Sequence, residues 1–276
     1  MTTISAMSPY VGNTLINYFL KATDYNPTSG SIYVGLYTVT PSDTRKGTEV
    51  NGGGYARQPI TFDFNSGSAI NNKKVTFPQA TTNWGRIVGV AILNTSSPSL
   101  GGNVLFWGNI YNPLDINDGE IYSINVGALT IELKGAVSGG WGIGTAGSAL
   151  NLILDNDGFG GSPPSNAYMA LGTNLTTDSS YGFVSWDELS AGSYSRQSIS
   201  ASSWNTPSNG ASSNNGDIIF YAPPIPEEWG RITNIVIYDS ASGGNTLMWG
   251  KLSTPLWIIT GDGLKFASGN VGVSIT

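Results

Sequence analysis

The sequence predicts an all-β protein made of two homologous β-sandwich domains, jelly-roll-like in type, each with a short N-terminal helix. Two observations predict this fold: motifs that occur twice in the same order, and short apolar runs separated by glycine-rich turns. GYARQ at 54–58 returns as SYSRQ at 193–197, WGRI at 84–87 returns at 229–232, and GGNVLFWG at 101–108 returns as GGNTLMWG at 243–250. Ordered matches at nearly constant separation indicate a duplicated domain.

Each half is predicted to begin with one amphipathic helix. The apolar residues that indicate it recur at helical spacing, as Leu15, Ile16, Phe19 and Leu20 in the first half and as Ala149, Leu150, Ile153 and Leu154 in the second. A loop and a strand follow, with the strand at 32–38 and again at 167–173. The two halves therefore start with the same order of elements.

The later strands complete a sandwich in each half. The apolar runs at 87–93 and 232–238 predict matching strands in the two halves. The second run alternates less cleanly than a half-exposed strand, which predicts that this strand is central. A Gly-Gly-Asn turn leads into a strand that carries Leu-x-Trp-Gly, and a glycine-bounded strand closes each half at 128–133 and 270–275. This makes about six or seven strands per half, which is typical of a β-sandwich.

The segment between the halves is rich in glycine and is predicted to be a flexible linker. We therefore place the first domain at 1–133, the linker at 134–147 and the second domain at 148–276. Trp141 and Ile143 are unusual in a free linker, and they suggest that it is held against one of the domains.

The composition excludes several chemistries. Cysteine and histidine are both absent, which removes disulfides, thiolates, Ser-His-Asp triads and the commonest transition-metal ligand. The net charge of -6 argues against nucleic-acid partners, which need lysine and arginine to neutralise phosphate. No apolar run is long enough to span a membrane, and no secretory signal is seen at the start of the sequence.

The repeated Tyr-x-Arg-Gln strands supply four candidate site residues. Tyr55 and Arg57 share one face of their strand, as Tyr194 and Arg196 do in the second half. One interpretation is a ligand platform, with tyrosine stacking on a sugar and arginine binding its hydroxyls or carboxylate. The other is structural, with arginine paired to a nearby carboxylate. Retention of the set in both copies of a scaffold favours the structural interpretation.

Four repeated tryptophans are the remaining candidates for an interface or a ligand site. Trp84 and Trp229 precede an apolar strand and are predicted to anchor the core, although a carbohydrate platform is an alternative. Trp107 and Trp249 follow the Gly-Gly-Asn turn and are interpreted as core or subunit-interface residues.

The acidic motifs predict neither a metal site nor a hydrolytic pair. The DNDG motif at 155–158 resembles the start of a calcium loop, but Asn166 stands where the loop needs a bidentate glutamate. The acidic residues at 115–120 are better explained by a turn before a strand. Glu227 and Glu228 occur in the second half only, so they are not part of the shared domain. We expect no metal and no cofactor, and a structural calcium ion is the less favoured alternative.

The motif order resembles a known family. VGLYT at 34–38, TEVNGGGYARQ at 48–58, the two WGRI motifs, DSASGGN at 239–245 and the Leu-x-Trp-Gly strands together resemble tailed-bacteriophage virion proteins often labelled tail fibre protein. Members of that family usually carry one such domain, so the chain resembles a tandem version. The resemblance covers nearly all of the chain outside the linker and brings no catalytic residues with it.

These observations predict a non-enzymatic structural protein on the exterior of a phage particle. Two placements stay open, a capsid decoration (cement) protein and a short tail or neck appendage. The absence of heptads and of a repetitive shaft favours a compact part. The alternative is a carbohydrate-binding module that adsorbs to host surface glycans, which solvent-facing aromatic side chains would favour.

The expected partners are other virion proteins and further copies of the chain. Low charge and eight tryptophans suggest large buried interfaces between copies. The expected location is the virion, after folding in the host cytoplasm.

Overall fold

A computed structural model describes residues 2–4, 6–25, 31–65, 67–100, 102–133, 139–141, 143–155, 162–176, 185–221 and 228–275. The first half contains β1 (Thr2–Ile4), β2 (Ala6–Met7), α1 (Pro9–Lys21), β3 (Tyr33–Val39), β4 (Thr48–Glu49), β5 (Gln58–Pro59), β6 (Phe62–Asn65), β7 (Ser68–Asn71), β8 (Val75–Thr76), β9 (Gly85–Leu93), β10 (Val104–Ile116), β11 (Ser123–Ile124) and β12 (Leu129–Glu132). The second half contains β13 (Gly139–Trp141), α2 (Ile143–Asp155), β14 (Asn166–Thr176), β15 (Ser185–Glu188), β16 (Gln197–Ser200), β17 (Ala211–Ser213), β18 (Ile218–Phe220), β19 (Gly230–Tyr238), β20 (Thr246–Ile258), β21 (Leu264–Phe266) and β22 (Gly272–Ser274). Short 3-10 helices lie at Pro98–Leu100 and Ala201–Ser203.

The large sheet has the same topology in both halves. Its strand order is β2-β10-β9-β3-β4 in the first half and β13-β20-β19-β14-β15 in the second, with β5 and β16 also pairing to β3 and β14. The two apolar runs lie in β9 and β19, and both strands are paired on both sides, as the second run predicted. β10 and β20 carry the same interruption of register, between Asn109 and Leu114 and between Lys251 and Leu256.

A second, smaller layer faces each large sheet. In the first half it contains β1-β12-β7-β6 and the pair β11-β8, and in the second half the pairs β17-β22 and β18-β21. Buried apolar residues from both layers form one core cluster. The predicted all-β fold with two repeated β-sandwich domains, each beginning with a short helix, is confirmed.

Local sequence signals fix the ends of α1. The Ser8 hydroxyl accepts a hydrogen bond from the Val11 backbone N–H (3.2 Å), Pro9 occupies the first turn, and Ala22 ends the helix in the left-handed conformation. Leu15, Ile16 and the other apolar residues of one face are buried, as their spacing predicted. Neither helix in the described part of the chain is long and apolar enough to cross a membrane.

Each helix packs against the opposite half of the chain. α1 contacts β14 and β17 of the second half besides β10 of its own, whereas α2 contacts β6 and β7 of the first half besides its own β20. Asn13 Oδ1 accepts a hydrogen bond from the Gly210 backbone N–H (2.8 Å), and Lys21 Nζ donates to the carbonyl oxygen of Trp204 (2.9 Å). The two repeats thus exchange helices and share one continuous core.

Part of the segment predicted to be a flexible linker is regular structure. Residues 139–141 form β13, which pairs with β20, and α2 begins before the predicted domain start at 148. The physical reason is Trp141, which is buried, packs edge-to-face on Phe19 of α1 (5.6 Å between ring centroids) and accepts a hydrogen bond from Trp249 Nε1 at its carbonyl oxygen (3.1 Å). Residues 134–138 and 142 lie outside the described residues, and the domain boundaries themselves stay a prediction.

Candidate functional site

The Tyr-x-Arg-Gln motif of the first half forms a buried polar cluster with Glu49, at the end of β4. Arg57 Nε and Nη2 donate to the two carboxylate oxygens of Glu49, both at 2.8 Å, which is a bidentate pair. Arg57 Nη1 donates to the hydroxyl (2.7 Å) and the carbonyl oxygen (3.0 Å) of Thr95 in the loop after β9. The Tyr55 hydroxyl donates to Glu49 Oε1 (2.9 Å) and accepts from the Leu36 backbone N–H (2.9 Å).

The second half repeats this cluster with Glu188 at the end of β15. Arg196 Nε and Nη2 donate to the Glu188 carboxylate at 2.8 and 2.7 Å, and Nη1 donates to the carbonyl oxygens of Ser240 (2.9 Å) and Gly243 (2.7 Å). The Tyr194 hydroxyl donates to Glu188 Oε1 (3.2 Å) and accepts from the Leu171 backbone N–H. We call these two sets the first cluster (Glu49, Tyr55, Arg57) and the second cluster (Glu188, Tyr194, Arg196).

Both clusters join the same three parts of the fold. The glutamate belongs to the edge strand of the large sheet, the tyrosine reaches the neighbouring strand, and the arginine reaches the loop between the two long strands. In the second half the guanidinium also stacks on the ring of Tyr238, at 3.6 Å from the ring centroid. Each cluster therefore fastens a loop and an edge strand to the sheet.

The electrostatics keep the tyrosines neutral. Burial raises the pKa of Tyr55 and Tyr194 well above the usual range, and the negative charge of the neighbouring glutamate raises it further. Burial opposes the charge on Arg57 and Arg196, but the hydrogen bonds and charge of the paired glutamate outweigh it and leave the pKa of both guanidinium groups raised. Neutral phenol donors and a paired arginine suit a structural contact better than acid–base chemistry at neutral pH.

The first repeated pair of tryptophans packs against these clusters. Trp84 and Trp229 are each 6% exposed, and each indole is edge-to-face with the cluster tyrosine, at 5.4 Å from Tyr55 and 5.9 Å from Tyr194. The indole N–H of Trp84 donates to the Gly53 carbonyl oxygen (2.8 Å), and that of Trp229 donates to the Ser193 hydroxyl (3.1 Å). Their geometry is that of core anchors.

The second pair of tryptophans lies in two smaller apolar clusters. Trp107 packs with Tyr37, Ala91 and Leu93, and Trp249 packs in the matching set of the second half. Neighbours of Ala91 along β9 belong to the main core, so the alternation of a strand puts these clusters on the other face of the large sheet. Both indoles are buried within a single chain.

Six of the eight candidate residues are thus brought together in two equivalent arrangements, Tyr55, Arg57 and Trp84 in the first half and Tyr194, Arg196 and Trp229 in the second. Trp107 and Trp249 lie apart from them in the two smaller apolar clusters. That these eight residues bind a ligand or form an interface stays a prediction. Sequence reasoning missed Glu49 and Glu188, although a signal was present. Each glutamate precedes its tyrosine and arginine at the same spacing, Glu-x5-Tyr-x-Arg, in both halves.

The acidic motifs make internal contacts where the structure describes them. Asp115 pairs with Arg86 (3.5 Å), and Glu120 Oε2 accepts from the Asn117 backbone N–H (2.6 Å), as expected of a turn. Residues 156–158 and Glu227 lie outside the described residues. Across the part of the chain that the structure describes, no group of three carboxylates converges as a metal site would require.

Comparison with known proteins supports the duplication. A model of the family described as "Podophage GP4 fiber I protein gp80" matches twice, over residues 6–132 and 145–274. No curated protein matches the chain. The two matches cover both halves almost entirely, and each includes one complete Glu-x5-Tyr-x-Arg cluster. The chain therefore belongs to the family of the podophage GP4 fiber I protein gp80 and carries the family's domain twice.

Proposed function

We propose that the chain is a non-enzymatic structural protein of the virion exterior and that it serves as a short tail or neck appendage. The observation that carries this proposal is the match of both repeats to a phage fibre family. The two clusters add support, because the charged and aromatic side chains at the repeated positions hold the fold together. The lack of histidine and cysteine in the sequence supports a role without catalysis.

The shape of the appendage follows from the helix exchange. Two repeats that share one core form a compact unit, and the sequence contains no heptads or repeated shaft that would extend it. Capsid decoration is the alternative placement, and a compact unit suits it as well. The fibre description of the family is what favours the appendage.

Partners in this proposal are other virion proteins and further copies of the chain. Four of the tryptophans give little support to a homo-oligomer, because they are already buried within one chain: Trp84, Trp107, Trp229 and Trp249. The low proportion of charged residues, 11% of the sequence, still supports contacts between copies. We also propose that the chain folds in the host cytoplasm before assembly, since it needs no disulfide.

A cryo-EM map of the purified phage particle tests the placement. Density for the interlocked repeats at the neck or tail would support the appendage. Density over capsomer junctions would replace it with a decoration role, and absence from the particle would reject both. An assay for depolymerisation of host polysaccharide by the purified chain tests the non-enzymatic assignment, for which we expect no product.

A second candidate function is carbohydrate binding during adsorption to the host. The repeated aromatic residues do not favour this function, because they are buried or half-buried and offer no open face to a sugar. One other aromatic side chain does favour it. Trp257, in the second repeat, is 69% exposed.

A further inference from the structure

The two repeats differ at one exposed cross-strand pair of the large sheet. In the first repeat Arg86 on β9 lies directly opposite Asp115 on β10, and the two side chains form an exposed ion pair at 3.5 Å. In the second repeat Arg231 on β19 lies directly opposite Trp257 on β20. The arginine is kept, while an indole replaces the carboxylate that paired with it.

Both members of the second pair face solvent. Trp257 is 69% exposed, whereas the six indoles at 84, 107, 141, 204, 229 and 249 are at most 8% exposed. Arg231 is exposed and makes no hydrogen bond or ion pair with a side chain in the described ranges. Residues directly opposite in an antiparallel pair share a face of the sheet, with Cβ atoms about 5 Å apart. Arg231 and Trp257 therefore leave the sheet from neighbouring positions on the same face.

The apolar character extends just past the end of the strand at Ile258. Ile259, two residues after Trp257, is 50% exposed and occupies the position of Asn117 in the first repeat. The fold does not require the indole, because Asp115 pairs with Arg86 in the first repeat in the same backbone register as Trp257 with Arg231. A matched polar site in the same molecule thus shows that the Trp257 surface is specific to the second repeat.

The size of this surface limits what can bind to it. An aromatic side chain buries about 150–250 Å², so two-thirds of Trp257 with half of Ile259 exposes on the order of 200–300 Å². A stable protein interface needs about 800 Å² on each partner. The surface is therefore too small for a protein partner by itself, but it matches the face of one or two sugar rings.

We propose that Trp257 and Arg231 form a contact site for an acidic sugar residue of a surface polysaccharide. The C–H face of a pyranose ring packs on the negative face of the indole. A carboxylate on the same sugar accepts hydrogen bonds from the Arg231 guanidinium. This sugar carboxylate takes the place that the Asp115 carboxylate has beside Arg86 in the first repeat. This proposal names a ligand class for the carbohydrate-binding candidate above. It does not depend on where the chain sits in the virion, because it is tested with the purified protein.

Tryptophan fluorescence gives a selective test. Acrylamide quenches exposed indoles, so Trp257 should supply most of the quenchable emission of the eight tryptophans. Polygalacturonate, a polymer of acidic sugars, is expected to lower the quenching constant by about twofold, since the sugar ring shields one face of the indole. Dextran, a neutral polymer, should protect less, and added salt should reduce the protection by polygalacturonate.

The first repeat supplies the control variants. Trp257→Asp recreates the Arg86–Asp115 pair, so the variant should fold normally and lose retardation in gels that contain polygalacturonate. Arg231→Gln should keep the quenchable emission and lose the preference for the acidic polymer. Asp115→Trp should add a second protected indole.

Two results would overturn the proposal. One is equal retardation of the wild-type protein and Trp257→Asp by polygalacturonate. The other is self-association of the wild-type protein in sedimentation that Trp257→Asp abolishes, with no protection by either polymer, since this would make the surface a contact between copies.

Discussion

Gly12 in α1 lies against the Ile275 carbonyl oxygen of the second repeat, so close that a Cβ atom at Gly12 would be 2.6 Å from that oxygen. The same Cβ would be 2.8 Å from Cα of Gly210. Both neighbours are backbone atoms, which cannot rotate away as a side chain can. The absence of a side chain at this position is therefore what lets the helix of one repeat dock on the other.

Gly12→Ala should destabilise the protein by about 1–3 kcal/mol, because the methyl group overpacks a contact between backbones. The matched control is Gly147→Ala in α2, where the nearest atom to the new Cβ is the Gly67 backbone nitrogen at 3.5 Å, an ordinary contact. Alanine favours helix over glycine by about 1 kcal/mol, so the control should be neutral or stabilised. Urea unfolding of both variants measures the difference, and a shift of the same sign in both would contradict the close docking of Gly12 on Ile275 and Gly210.

The helix exchange also predicts that neither repeat folds alone. A fragment ending at 137 would lack α2, which covers β6 and β7, and a fragment starting at 138 would lack α1, which covers β14 and β17. We expect each fragment to be unfolded or aggregated when expressed singly, and the two to associate into a folded complex when expressed together. Circular dichroism and gel filtration report this outcome. A single repeat that melts cooperatively at the wild-type temperature would disprove it.

The sequence predicted the duplication and the elements well, because both depend on local patterns. The spacing of Leu15, Ile16 and Phe19 predicted a helix with one buried face. It could not predict which sheet buries that face, since the apolar surfaces of the two homologous repeats are chemically alike. The exchange of helices is decided by tertiary packing, to which Trp141 contributes from a segment that glycine content alone describes as flexible.

The candidate site was only partly predictable for a similar reason. Tyr55, Arg57 and Trp84 stood out because they recur, but a recurring residue can serve the fold or a ligand equally well. Their geometry is that of contacts within the domain. Trp257 does not recur, because Asp115 stands at its position in the first repeat. A search for repeated motifs finds the residues that the two halves share, and it therefore cannot find a residue that distinguishes them.

The first cluster should be a strong determinant of stability. Arg57→Ala leaves the Glu49 carboxylate buried without its partner, and breaking a buried pair of this kind costs about 3–5 kcal/mol. The Arg57 and Glu49 side chains are 5% and 11% exposed. Arg196→Ala should cost less, because Glu188 is 26% exposed and can be hydrated. Chemical denaturation measures both variants.

An exposed pair in the same repeat serves as the control for that prediction. Arg86 and Asp115 are 61% and 58% exposed, so Arg86→Ala should change the free energy of unfolding by about 0–1 kcal/mol. Equal losses for Arg57→Ala and Arg86→Ala would show that the first cluster is not a buried structural contact. Arg57→Lys should rescue little, since lysine cannot form the bidentate pair with Glu49.

Buried tyrosines should make the protein sensitive to alkali. Burial, and next the charge of Tyr10, raise the pKa of Tyr25 from about 10 to about 12. The unfolded chain therefore loses this proton near pH 10 while the folded protein keeps it, so the free energy of unfolding falls as pH rises from 10 towards 12. Burial also raises the pKa of Tyr18, Tyr37, Tyr55, Tyr122 and Tyr194, and each of these tyrosines adds to the slope.

Tyr25→Phe isolates one such contribution. The Tyr25 hydroxyl is buried without a hydrogen-bond partner among the described residues, so its removal should not lower stability at neutral pH. At pH 12 the variant should be more stable than the wild-type protein by about 1–2 kcal/mol, after a discount for the partial exposure of the ring. Denaturation curves at pH 8 and pH 12 give the comparison, and a gain of the same size at both pH values would mean that the proton on Tyr25 is not responsible.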